Sequence, residues 1–289
     1  MKAAAFRYHR ATSLDDALAV MADDDEEVRA LAGGQSLVPL MAMRLSRPEV
    51  LVDLNGVDAL AGVALDGGHL RIGAMTRQRD VERSPLVAEH LPLLRTAIGH
   101  IGHVTIRHRG TIGGSVAHAD PAAELPAAVV ALGAEMVLAS TGGTRVVPAE
   151  EFFDSYLVTA VEPGELLVEV RFPLGAVPAR HGMAEFTRRA GDFAVAGAIV
   201  LADVAADLTV RRARVVPMAV DPAPRRSARA EELLVGRALD DGVIREVAAA
   251  VAAGCGPVDD IHGSAAYRRD LVAEMTRRAL ARLRQGAGE

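Results

Sequence analysis

The sequence predicts an α+β protein built from more than one packed unit. Three observations carry this. Strand-like and helix-like segments alternate through roughly the first 58 residues. Beyond a Pro- and Gly-containing stretch near Leu174 the order changes to strands first and helices last. The chain has 289 residues, half of them hydrophobic, which is enough for two or three packed units with a sizeable core.

The elements follow in order. Phe6–His9 is a short apolar-aromatic strand. Thr12–Ala22 is an amphipathic helix: Ser13 or Thr12 accepts its free N–H groups, Asp15 and Asp16 complement its dipole, and Leu14, Leu18 and Met21 recur at helical spacing. Acidic Asp23–Glu27 is a loop. Val28–Gly33 is a strand running into a Gly-Gly turn, and a short helix over residues 36–46 follows, with Pro39 in its first turn. Glu49–Leu54 is a buried strand that stops at Asn55-Gly56. His69–Met75 opens a second region with another strand, followed by helices over Gln78–Arg83 and Leu91–Gly99. A second Gly-Gly turn at Gly113-Gly114 precedes a helix over Glu124–Leu132 and the strand "EMVLAS". Gly164–Pro173 is a strand closed by proline. Leu174–His181 is a linker. After it, "AVAGAIVLADV" and "LTVRRARVVPMAV" pair as strands, and "SARAEELLVG", "DDGVIREVAAAVAAG" and "AAYRRDLVAEMTRRALARL" are helices.

Composition excludes several chemistries. The net charge of −6 argues against a general nucleic-acid surface. Lys2 is the only lysine, so there is no P-loop lysine and no Schiff-base lysine. Cys255 is the only cysteine, so the chain holds no iron–sulfur cluster, no cysteine zinc site and no internal disulfide. His100, His103, His108 and His118 cluster in sequence at spacings that match no standard zinc set, and they read as loop and surface histidines. No apolar run is long enough to span a bilayer. Charge also enters the N-terminus too early for a secretory signal, so a cytoplasmic location is expected.

"LAGGQS" (Leu31–Ser36) and "TIGGS" (Thr111–Ser115) are the repeated special feature. Glycine permits φ > 0 and close approach of a ligand to peptide N–H groups, and consecutive N–H groups in such a turn form an anion-binding nest. The hydroxyls of Ser36, Thr111 and Ser115 add donors. Two facing turns would clamp a pyrophosphate, although each alone reads better as an ordinary tight turn without a ligand, and the pair leaves the two readings level. Neither is the dinucleotide fingerprint GxGxxG.

With their flanks, "LAGGQSLVPLMAMRLSRPEVLVDLN" and "IRHRGTIGGSVAHADPAAELPAA" resemble the two FAD motifs of the medium, flavin-binding subunits of molybdenum hydroxylases, the carbon-monoxide dehydrogenase and xanthine dehydrogenase flavoprotein family. The opening "FRYHRATSLDDALAVMA", "RRAGDFAVAG" and "YRRDLVAEMTRRAL" extend the resemblance over the whole chain. It implies an FAD-binding domain of the p-cresol methylhydroxylase/vanillyl-alcohol oxidase type at 1–176, with subdomains of about 1–58 and 59–176. A small C-terminal α+β domain, an antiparallel sheet with helices, would occupy 177–289.

The resemblance also assigns roles. Ala32, Gly33, Gly34, Gln35, Ser36 and Leu37 would wrap the pyrophosphate, with Thr111, Gly113, Gly114 and Ser115 on the other side. Glu124 takes the place of a carboxylate near the flavin's sugar chain, or is simply a helix N-terminal charge. His118 lies beside the cofactor. Leu167 packs on a ring or in the core. Phe193 shields the isoalloxazine. Asp120 reads as the cap of a helix beginning near Pro121 rather than as a cofactor contact, and Arg188 and Arg189 as facing solvent rather than the flavin. No histidine suits covalent attachment, so non-covalent FAD is expected.

Because this chain lacks a molybdenum site and a cysteine cluster, the resemblance places molybdopterin in a large partner subunit and two [2Fe–2S] clusters in a small one. FAD would then pass electrons to an external acceptor, within a dimer of heterotrimers. A stand-alone FAD oxidoreductase and a flavin-free structural protein are the alternatives. The partner's substrate is not encoded in this chain.

Overall fold

A computed structural model describes residues 2–285 apart from Asp24 and Ala176. Asp24 of the expected acidic loop and Ala176 of the expected linker therefore lie outside the described residues. The first unit comprises β1 (Arg7–Arg10), α1 (Leu14–Met21), β2 (Val28–Leu31), α2 (Leu37–Ala42) and β3 (Val50–Asp53). Its sheet has the order β1-β3-β2 and is entirely parallel, which the helical crossovers α1 and α2 make possible. Ser13 caps α1 by accepting from Asp16 N. The central strand β3 is buried along its length, and Val50 and Val52 pack with Leu18, Leu54 and Leu60.

The second unit comprises β4 (Val63–Asp66), β5 (His69–Gly73), α3 (Gln78–Arg83), α4 (Pro85–His90), α5 (Pro92–His100), α6 (Val104–Arg109), α7 (Ile112–His118) and α8 (Glu124–Leu132). It continues with β6 (Glu135–Ser140), β7 (Gly143–Pro148), α9 (Ala149–Phe152), β8 (Phe153–Ser155), β9 (Val158–Thr159) and β10 (Leu166–Pro173). Its five-stranded sheet, β4-β5-β10-β6-β7, is antiparallel, and β10 sits at its centre. The sequence reading missed β4, β7, β8, β9, α4, α6 and α9. All are short, and the outer strands β4 and β7 are largely exposed, so they lack the apolar alternation that reveals a strand.

The third unit comprises β11 (Arg180–Phe186), β12 (Ala196–Val204), β13 (Val210–Met218), α10 (Ala228–Leu234), α11 (Asp241–Gly254) and α12 (Ala265–Arg284). The expected pairing of the two "AV" strands is present as β12-β13, antiparallel. The strand β11 was not foreseen, and it absorbs Arg180 and His181 from the expected linker. Strand β12 explains how the units join. Ala198, Val200 and Ala202 face α10–α12, whereas Ile199 and Leu201 join the core of the second unit. Both faces are buried, so the strand reads as a continuous apolar run. Helix α8 packs against α5 of the second unit and β12 and β13 of the third, and every one of its residues is buried.

Candidate functional site

The two glycine motifs lie side by side but are built differently. The first is a true loop between β2 and α2. Gly34 has φ +73°, in the left-handed region where a side chain is strained. Gly33 presses against the second motif: a Cβ there would come within 2.7 Å of Gly110 Cα. Among the described residues, the peptide N–H groups of Gly33, Gly34, Gln35, Ser36 and Leu37 donate to no protein acceptor. The Gln35 side chain folds back so that Nε2 donates to Gly33 O at 3.2 Å.

The second motif is not a turn. Gly113 and Gly114 lie in the first turn of α7, and Thr111 is its N-cap. The expected N–H nest does not exist there, because the donors are already engaged. Gly113 N donates to Ala74 O at 2.9 Å, Gly114 N to Thr111 Oγ1 at 3.0 Å and Ser115 N to Thr111 O at 3.2 Å. The glycines here serve close packing instead. A Cβ on Gly113 would sit 2.7 Å from Ala74 Cα, and one on Gly114 would sit 3.2 Å from Ala32 Cβ in the first motif.

A brace that sequence reasoning missed holds the two motifs together. Asn55 Nδ2 donates to Ala32 O at 2.9 Å, and Arg77 donates to Asn55 Oδ1 at 2.6 Å and to Arg109 O at 2.5 Å. Burial, with the Arg109 charge nearby, lowers the pKa of Arg77. Arg107 supports the far rim from behind by donating to Ile101 O at 2.8 Å and Gly102 O at 3.3 Å. In sequence Asn55 signals only a turn, and Arg77 and Arg107 stand in no pattern that pairs them with it.

Between the motifs lies a cavity of about 420 Å³. It is lined by every residue that the sequence reading assigned to the cofactor: Ala32 to Leu37, Thr111, Gly113, Gly114, Ser115, His118, Glu124, Leu167 and Phe193. Ile101, Gly102, Ile106 and Met75 are among the further wall residues that were not foreseen. Phe193 stands at the edge, 59% exposed, on a loop whose Gly191 lies against Gly102 and His103. The cavity therefore takes walls from all three units. Leu167 is both a core and a lining residue, next to a bulge in β10. Glu124 is buried at the start of α8, and burial together with the Glu185 charge pushes its carboxyl up to about 8.

Two expectations are corrected. Asp120 is not the helix cap: α8 starts at Glu124 with Ala123 as N-cap, and Asp120 instead accepts from Ala122 N in the preceding turn, at the cavity wall. Of the four clustered histidines, His100, His108 and His118 belong to helices rather than loops, and His100 is bonded to Glu185 at 2.9 Å. Arg188 and Arg189 are exposed. Among the described residues no group of three or more His, Cys, Asp or Glu is placed to hold a metal ion, and no helix is long and apolar enough to cross a membrane.

Comparison with known proteins bears on what fills such a cavity. Residues 4–175 match the FAD binding domain in molybdopterin dehydrogenase, and residues 182–283 match the CO dehydrogenase flavoprotein C-terminal domain. The chain is 40% identical over 284 residues to the 6-hydroxypseudooxynicotine dehydrogenase complex subunit alpha of Paenarthrobacter nicotinovorans, covering 98% of this chain and 95% of that one. It is 36% identical over 275 residues to the carbon monoxide dehydrogenase medium chain of Hydrogenophaga pseudoflava, covering 95% and 96%. The crystal structure of quinoline 2-oxidoreductase from Pseudomonas putida 86 superposes with a TM-score of 0.95 at 37% identity, covering both chains completely.

Proposed function

The chain belongs to the family of FAD-binding subunits of molybdenum hydroxylases, and on that premise we propose that it holds FAD between partner [2Fe–2S] clusters and an external electron acceptor. It is an oxidoreductase subunit. In our reading, residues 1–176 form the FAD-binding domain, with subdomains of about 1–58 and 59–176, and residues 177–289 form the C-terminal domain. A large molybdopterin subunit and a small iron–sulfur subunit complete a heterotrimer, paired as a dimer of heterotrimers, in the cytoplasm.

One observation carries the cofactor assignment. The run of unengaged N–H groups from Gly33 to Leu37 belongs to residues lining the cavity, and with no protein acceptor these donors are open to a ligand's oxygens. Phosphate oxygens are suitable acceptors for such a nest. The residues present thus fit a dinucleotide. Ala32 to Leu37 would take the pyrophosphate, and α7 would supply the opposing wall through Gly114 and Ser115. Apolar Ile101, Ile106, Leu167 and Phe193 would border the ring system. A bound flavin supplies two-electron uptake and release in single or paired steps. The chain's own task is to bind it, orient it and exclude water; no general acid–base pair is required of it.

The test has two arms. Full-length chain purified after exposure to FAD is expected to carry the visible flavin absorbance band, released on denaturation because attachment is non-covalent. Co-expression with its neighbouring subunits is expected to yield a complex containing molybdenum and iron. If the FAD-depleted complex still reduces its iron–sulfur centres with substrate but no longer reduces the acceptor, the flavin is the exit. Failure of that cluster reduction would overturn the order of transfer.

A further inference from the structure

Among the described residues, buried side-chain polar atoms without a hydrogen-bond partner occur on Gln78, Arg79, Glu185 and Arg268. Of these, only Gln78 lines the cavity. It is the first residue of α3 and is 4% exposed. Its backbone is anchored, because Gln78 N donates to Gly110 O at 2.9 Å. Its amide is not. Oε1 lies 2.7 Å from where a Cβ on Gly110 would be, so glycine at that position is what leaves room for the amide. The neighbour it meets there is a carbon, which gives no hydrogen bond. Other polar side chains of the cavity wall are engaged within the chain. Gln35 donates to Gly33 O, Thr111 accepts from Gly114 N and Asp120 accepts from Ala122 N. A buried amide left unpaired is costly and calls for a partner.

We propose that Gln78 hydrogen-bonds the polar edge of a heterocycle of the bound dinucleotide. The inference rests on the FAD reading above. Gln78 shares the cavity wall with apolar Met75, Ile101 and Ile106, side chains suited to the face of a flat ring. A single placed amide in such a wall fixes how a ring is turned. An amide carries a donor and an acceptor side by side, and its terminal torsion is soft enough for either to turn to the ligand. The edges of flavin and of adenine each offer an N–H next to an acceptor, a pattern that an amide meets with two bonds. A ring without that edge would leave the amide unpaired, so Gln78 selects the ligand as well as holding it.

The test compares wild type with Gln78→Met, which keeps the length of the side chain and removes the amide. In urea unfolding of the FAD-depleted full-length chain, the variant is expected to be at least as stable as wild type, because it deletes an unpaired buried amide and strands no partner. FAD binding, followed by quenching of flavin fluorescence, is expected to weaken about tenfold, as for one or two lost hydrogen bonds. A glutamine with a purely structural role would not give these two results together. A changed visible spectrum of the bound FAD assigns the contact to the flavin edge, and an unchanged spectrum with the weaker binding assigns it to adenine. Equal FAD affinity in the two proteins, or a loss of stability in the ligand-free variant, overturns the proposal and leaves the FAD assignment standing. A wild-type chain that binds no FAD overturns that assignment, and this proposal with it.

Discussion

The loop Ala32–Leu37 and the helix start Thr111–Ser115 carry the same Gly-Gly-polar signature and do opposite things with their backbone. In the loop, Gly34 takes a left-handed φ and the N–H groups from Gly33 onward stay unengaged. In the helix start, the glycines are helical and their N–H groups are bonded to Ala74 O and Thr111. The loop leaves a row of peptide donors on the cavity wall. The helix start is a packing surface that brings α7 close to β5, to the loop and to the cavity. One dipeptide therefore serves two physical purposes, and what differs is whether neighbouring chain offers an acceptor to its N–H groups.

Substitutions that act on one motif and spare the other test this contrast. The largest effect is expected at the loop. Gly34→Val places a β-branched side chain at φ +73°, beside Val38 and Leu31. It is expected to abolish FAD retention, read as loss of flavin from the purified chain, while costing only about 1–3 kcal/mol of stability. Full FAD content in this variant would remove the loop from the site. Gly113→Val should invert the pattern, because its side chain runs into the Ala74 backbone. The expected loss is about 3 kcal/mol or more in urea unfolding of the ligand-free chain, a severe case of overpacking. Wild-type stability there would show that close packing is not why Gly113 is glycine.

Glu124 gives a pH-dependent effect. Its carboxyl is held at about 8 against an ordinary 4.5. Between those values the folded chain binds a proton that the unfolded chain has released, so this group's contribution to stability falls as pH rises across the window and levels off above about 8. Glu124→Gln is expected to remove that slope, making the variant the more stable chain at pH 8 by a few kcal/mol, of the order expected for a pKa shift of this size. Equal slopes in thermal melts of the two proteins would refute it. The smallest effect is at the cap. Thr111→Val removes the acceptor of Gly114 N and should cost about 1 kcal/mol, recovered by Thr111→Ser. FAD affinity should change far less than in Gly34→Val, and a comparable loss would mean that the Thr111 hydroxyl itself holds the ligand.

Much of this molecule was legible before any coordinates. Helices α3 and α8 and strand β6 occupy the residues expected of them, and Ser13 caps α1 as its position suggested. These are local properties: periodicity, capping and the steric freedom of glycine act over a few residues. The resemblance of long motifs to a known family brought the cavity-lining residues together on paper, from Ala32 through Phe193. The helical state of Gly113 and Gly114 was not legible, since Thr111 as an N-cap and Gly34 in a turn use the same small and polar residue types.

What the amino-acid sequence determined alone was the set of elements long enough to show a period and the chemistry the chain lacks. With a single lysine and a single cysteine, it holds neither a P-loop nor an iron–sulfur cluster. What only the tertiary structure decided was where hydrogen-bond donors stay unengaged and where charges meet. The Asn55–Arg77 brace joins residues 22 apart in sequence, and His100 meets Glu185 across 85. Packing α8 against α5, β12 and β13 buries an ordinary helix-terminal glutamate and pushes its carboxyl up to about 8 on the cavity wall. The physical reason is the same in each case. Desolvation and pairing depend on which distant segments close over a group, and no local pattern records that.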